Sequence, residues 1–199
     1  MFSLKERFEL LESDLLAQPM RISAYDALPF AIIQYDPQDE WLARQEMRRC
    51  CTRLEQQGKR TQRISLAALL AEIIAECEGM EAVANLEREY GFGTAQRQVT
   101  TYLSDADWDH TLVDALSTRL NLLDPQRDIA FLWRAAALSP NLYFLSKLLD
   151  EMQGRTTTPT VLLYPGVLQG ATSLYFMGVR ERDALGNYRV KIYGQENFA

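Results

Sequence analysis

Apolar residues recur along this chain at two spacings, every third or fourth position in some stretches and in short unbroken or alternating runs in others, so helices and strands are predicted in alternation. Leu4, Phe8, Leu11 and Leu15 form one helical stripe. It is opened by Ser3-Leu4-Lys5-Glu6, which has capping-box spacing, and closed at Gln18-Pro19. Pro29 to Tyr35 reads as a first strand. Asp36-Pro37 ends it and opens a helix to about Gln57, with Asp36 as its cap, Pro37 at the first position, and Ala43, Met47, Cys50 and Leu54 as the buried stripe before Gly58. Arg63 to Leu66 predicts a short second strand, and strand, helix and strand in this order predict parallel strands joined by a right-handed crossover.

From Ala67 to Asn121 the pattern is helical throughout, which predicts a helical insertion at about 67–121. Leu69, Leu70, Ile73 and Ile74 face one way, Gly79 separates a second segment, a third helix covers Thr94 to Tyr102, and Ser104 is placed to cap a fourth carrying Leu112, Leu116 and Leu120. Asp128 to Trp133 resumes the sheet. A helix restarts at Ser139-Pro140 with Leu142, Leu145, Leu148 and Leu149, and Thr158 to Gly170 reads as a central strand that Pro165-Gly166 interrupts. Ser173–Gly178 and Tyr188–Tyr193 predict an antiparallel C-terminal hairpin, with Arg189, Lys191 and Tyr193 on a wet face. The expected fold is a single three-layer α/β domain over residues 1–199, with a mostly parallel sheet.

Composition changes this picture little. The chain has 199 residues, 47% hydrophobic and 24% charged, which is ordinary for a globular protein. The charged start lacks the apolar core of a signal peptide, so a cytoplasmic location is expected. Cys50, Cys51 and Cys77 offer no disulfide framework and no zinc spacing, and are expected to be reduced. Charge is more informative, because the net value of -6 disfavours phosphate attraction while the Arg44–Arg63 window carries seven basic residues against Glu46 and Glu55. A basic face for nucleic acid, centred on Arg44, Arg48 and Arg53, stands beside the reading of a solvated outer helix face.

Candidate chemistry is sparse. No P-loop is present, and Gly91-Phe92-Gly93 lacks both the third glycine and the preceding strand of a dinucleotide fingerprint, so no cofactor is expected. The single histidine, His110, reads as a surface residue, and no GxSxG elbow occurs. What remains is positional: Asp36 and the Tyr164-Pro165-Gly166 segment sit at the carboxyl ends of predicted parallel strands, where open α/β sheets hold ligands. Capping accounts equally for Asp36, and turn geometry for Gly166.

The ordered set Pro29-Phe30, Tyr35-Asp36-Pro37 with a basic helix, Val161-Leu162-Leu163-Tyr164-Pro165-Gly166, Leu174-Tyr175-Phe176-Met177-Gly178 and Asn187-Tyr188-Arg189 resembles the BrxB family of BREX phage-defence systems. The resemblance implies a small cytoplasmic component encoded with a DNA methyltransferase, a large ATPase and the phosphatase-like protein PglZ. It carries over no catalytic residues and implies a non-catalytic adaptor with PglZ as the leading partner. Tyr164, Pro165, Gly166, Tyr188 and Arg189 are the expected partner-binding residues, since a terminal hairpin exposes a strand edge and tyrosine gives large contact area. The alternatives are a ligand- or nucleotide-binding enzyme using the crevice near Asp36 and Gly166, and weak DNA contact.

Overall fold

Helices Leu4–Leu16 (α1) and Glu40–Gln56 (α2) cover one face of a sheet, and the helices from Leu66 onward cover the other. The computed structural model describes residues 2–22, 28–105, 110–139, 141–169, 173–178 and 190–194. Strands Phe30–Tyr35 (β1), Arg60–Ser65 (β2), Asp128–Trp133 (β3), Thr160–Gln169 (β4) and Lys191–Tyr193 (β6) line up in the order β2-β3-β4-β1-β6, all neighbouring pairs parallel. Ser173–Phe176 (β5) pairs antiparallel with the far half of β4. The predicted α/β class and mostly parallel sheet are borne out.

The central strands β1, β3 and β4 are buried from both sides, successive side chains entering opposite cores. Phe30, Ile32, Ala130, Leu132, Leu162 and Tyr164 point to one core, and Ala31, Ile33, Tyr35, Ile129, Phe131, Val161 and Leu163 to the other. Against the second core lie the predicted stripes of α1 (Leu4, Phe8, Leu11, Leu15) and α2 (Ala43, Met47, Cys50, Leu54). Ser3 and Glu6 form the expected capping box on α1. The first core is closed by Leu66–Glu76 (α3), Phe92–Ser104 (α5), Leu112–Asn121 (α6) and Leu145–Glu151 (α7), with Gly79–Tyr90 (α4) packed outside on α3 and α5. The strandless stretch is therefore one layer of the fold, since its apolar faces have the sheet to cover.

Several boundaries differ from expectation for identifiable reasons. β2 begins three residues before Arg63 and gives Leu66 to α3, because an edge strand with a polar sequence needs no apolar run. Ser104 ends α5 instead of capping the next helix; Thr111 caps α6 by accepting from the Asp114 amide at 3.2 Å. α7 begins at Leu145, after a short 3-10 turn at Ala135–Leu138. The expected break at Pro165-Gly166 does not occur. Pro165 faces Tyr35, the last residue of β1, and beyond it β4 runs on to pair with β5.

Among the described residues Ser173–Phe176 and Lys191–Tyr193 are not paired with each other as the expected hairpin requires, for the first joins β4 and the second lies parallel to β1. Nor does the second strand keep a wet face: Tyr193 is fully buried and donates to Asp14 Oδ2 at 2.7 Å, with Lys191 Nζ at 2.5 Å from the same oxygen. α1 supplies that cover, a contact no local pattern encodes.

Candidate functional site

β1, β2, β3 and β4 deliver their carboxyl ends to one side of the sheet, and a cleft of about 350 Å³ opens there. α2 leaves β1 over one face while α3 and the Ala135–Leu138 turn leave β2 and β3 over the other, so the chain diverges at this edge and leaves a crevice. The walls are apolar: Pro37, Ala67, Ala136, Ala137, Pro165 and Met177. Glu40, Arg44 and Arg134 supply its charge.

Arg134 directly follows β3 and adopts a left-handed backbone, φ 59° and ψ 37°, which a side-chain-bearing residue takes at a cost of about 1–2 kcal/mol. That turn lays its guanidinium over the Trp133 indole, 4.7 Å from the ring centroid. Arg44 approaches the same ring at 5.1 Å from α2. Arg44 Nε also donates to Glu40 Oε1 at 2.7 Å, and the Tyr35 hydroxyl donates to Glu40 Oε2. Burial and then this hydrogen bond raise the Tyr35 hydroxyl above the ordinary phenol range. The Arg134 carbonyl accepts from the Ala137 amide at 3.2 Å, but its side chain has no hydrogen bond or ion pair among the described residues, and the buried Trp133 Nε1 has no acceptor. Met177, which also lines the cleft, is the other non-glycine residue with a left-handed backbone among those described, φ 55°.

Of the predicted residues, Asp36 acts as a cap, accepting from the Gln38 amide at 2.9 Å and ordering a 3-10 turn, Pro37–Asp39, into α2. Pro165 lines the cleft. Tyr164 is fully buried, edge-to-face with Phe176 at 5.6 Å, and Gly166 is buried where β5 crosses. Gly166 also offers its carbonyl to Gln34 Nε2 at 2.6 Å, and the buried Arg7 donates to the Gln34 carbonyl and, at 3.1 Å, to Gln34 Oε1. Burial lowers the Arg7 guanidinium, with Asp39 opposing. Tyr188 and Arg189 lie outside the described residues.

The basic window is largely neutralised in place. Arg44 pairs with Glu40, Arg49 with Glu46, Arg53 with Glu12, and Arg60 with Asp128; Arg48 instead stacks on Trp41 at 5.6 Å. His110 is exposed ahead of α6, and among the described residues no three His, Cys, Asp or Glu side chains group as metal ligands. Cys50 and Cys51 are buried free thiols, both raised by burial. No described helix is long and apolar enough to cross a membrane. Trp133 and Arg134 escaped sequence reading as site residues, although a Trp-Arg pair at the carboxyl end of a buried strand is a legible signal once such ends are taken as ligand positions.

Parallel strands ending together at a crevice, with crossovers leaving on both faces, define an open α/β sheet protein with a ligand-sized cleft. A family model for the BREX protein BrxB matches residues 62–192 of the 199, from β2 to β6. The chain belongs to the BrxB family, and so is a component of a BREX phage-defence system. The match includes Ala67, Arg134, Pro165 and Met177 of the cleft, while Pro37, Glu40 and Arg44 precede it. No curated protein and no solved structure matches the chain with significance.

Proposed function

We propose that this protein is a non-catalytic binding subunit of its BREX assembly, with PglZ as its direct partner and the methyltransferase and ATPase as further members of a cytoplasmic complex. One observation carries the reading. Trp41 is 70% exposed on the outer face of α2, next to Leu42 at 40%, with the Arg48 guanidinium stacked over its ring. Leaving an indole in water forgoes a large apolar gain, and Trp and Arg are the residue types that dominate interface energies. Arg48 holds the ring in place, which lowers the ordering cost of binding. The choice of PglZ rests on the family's character, as does the inclusion of Tyr188 and Arg189 in the interface.

The test is capture of PglZ by the tagged protein, compared with Trp41→Ala/Arg48→Ala and with Tyr188→Ala/Arg189→Ala after circular dichroism confirms each fold. Loss of a central anchor costs about 2 kcal/mol or more, roughly 30-fold in affinity. Full capture by the α2 variant removes that face from the interface, and no capture by the parent chain refutes the adaptor reading.

A further inference from the structure

The cleft differs from the α2 face just described and stands on its own observations. It is lined by two guanidinium groups and one carboxylate, and Glu40 is already engaged by Arg44 and Tyr35. Arg44 uses only Nε on Glu40, so its terminal nitrogens keep free N–H groups, and Arg134 has no anionic partner among the described residues. The Trp133 ring face is the one partner of the Arg134 side chain among the described residues, a contact of about 0.5–1 kcal/mol against about 1–2 kcal/mol for the left-handed backbone that places it at the rim of the cavity. Strain of this kind is retained where it positions a group.

Planar guanidinium forks match the oxygens of a phosphate, and two of them converging on one ring suit a dianion better than a single carboxylate. The apolar walls ask for more than an ion. A volume of about 350 Å³ lies at the small end of ligand sites, roughly 300–1,000 Å³, and a bare phosphate would leave most of it to water against Ala136, Ala137, Pro165 and Met177. We propose that this cleft binds a phosphate monoester of mononucleotide size, the phosphate held by Arg134 and Arg44 and the ring system lodged against the apolar wall. The site would bind without hydrolysing, as a sensing or recruiting pocket for either a free nucleotide or the 5′-phosphate of a strand end.

Isothermal calorimetry on the full chain tests this with AMP, adenosine, inorganic phosphate and a 5′-phosphorylated trinucleotide. The expected result is one-to-one AMP binding, with adenosine and inorganic phosphate each at least tenfold weaker, as loss of a charge-assisted contact or of the apolar one requires. Arg134→Gly lowers AMP affinity at least tenfold while folding normally, because glycine takes the left-handed backbone freely; Arg44→Gln weakens it likewise. Preference for AMP assigns the source to free nucleotide, and preference for the trinucleotide assigns it to a strand end; both support the phosphate monoester. Absence of heat with millimolar AMP, adenosine or inorganic phosphate binding as well as AMP, or unchanged affinity in a folded Arg134→Gly protein overturns the proposal.

Discussion

Replacing Gly166 by alanine places a methyl group where no room exists. A Cβ at this position would lie 2.3 Å from the Tyr175 carbonyl oxygen and 2.7 Å from Tyr164 Cε1. Neither neighbour can yield cheaply: the Tyr175 carbonyl accepts from the Gly178 amide at 3.1 Å, and the Tyr164 ring is fully buried against Phe176. Relief therefore requires β5 to pull away from β4, which disturbs the Gly166–Phe176 register and the hydrogen bond from Gln34. Overpacking of this kind costs about 3 kcal/mol, or roughly 6–12 °C of melting temperature for a chain of this size. Urea unfolding followed by circular dichroism reads it as a lower midpoint at an unchanged slope. Gly58→Ala is the control. Its φ of +83° carries the conformational penalty of about 1–2 kcal/mol, yet its added Cβ meets nothing within 4 Å. If Gly166→Ala unfolds no more easily than Gly58→Ala, the close approach of β5 is not what requires glycine.

Arg134→Gly is expected to stabilise the fold by about 1 kcal/mol by relieving the left-handed backbone, a small rise in thermal midpoint; a fall would mean that the side chain itself holds the turn. Gln34→Leu removes the side-chain acceptor of the buried Arg7, leaving the Gln34 backbone carbonyl, and the donor to the Gly166 carbonyl, and should cost about 2 kcal/mol in urea unfolding, with an effect under 1 kcal/mol ruling out the network. Although burial alone would raise it, Asp14 is held below its ordinary value of 3.8 by the hydrogen bonds from Lys191 and Tyr193. Its ionised form therefore contributes stability above about pH 4 that is lost as pH falls through the lower folded value, so the gap between parent and Asp14→Asn should be full at pH 7 and close in strong acid; a gap independent of pH contradicts the pairing. DNA binding by the isolated chain should be weak and fall steeply with salt, and charge reversal at Arg44, Arg48 and Arg53 should abolish it; a salt-resistant, sequence-specific complex would refute this.

Helix stripes were legible because each is a local record of one buried face: all four stripe residues named for α1, and all four for α2, are buried. The apolar runs of β1 and β4 likewise announced a sheet covered on both sides. Strand partners were not legible. Lys191–Tyr193 reads correctly as extended, but whether it pairs with β5 or beside β1 is decided by α1 and Asp14, far away in sequence. Pro165-Gly166 carries a strong turn signal, and the strand survives it because Pro165 sits at the end of β1 and Gly166 admits β5. For the cleft, position was readable at Asp36 and Pro165, while its charge was not. Arg134 reaches it only through a left-handed turn that arginine rarely adopts, so propensity pointed elsewhere.

The pairing of β1 with β4 also sets a timetable for biosynthesis. Phe30 meets Thr160, 130 residues later, and β1's other neighbour, β6, is made later still. At roughly 5–20 residues per second, a strand buried at every position in the finished fold waits about 7 to 26 s on the ribosome with neither edge satisfied. During that interval finished helices can cover its faces, α1 and α2 on one and α3, α5 and α6 on the other, but both edges stay open. The nascent chain is thus an aggregation hazard of a kind the finished protein is not, and its yield should depend on ribosome-associated chaperones more than on the stability of the completed sheet.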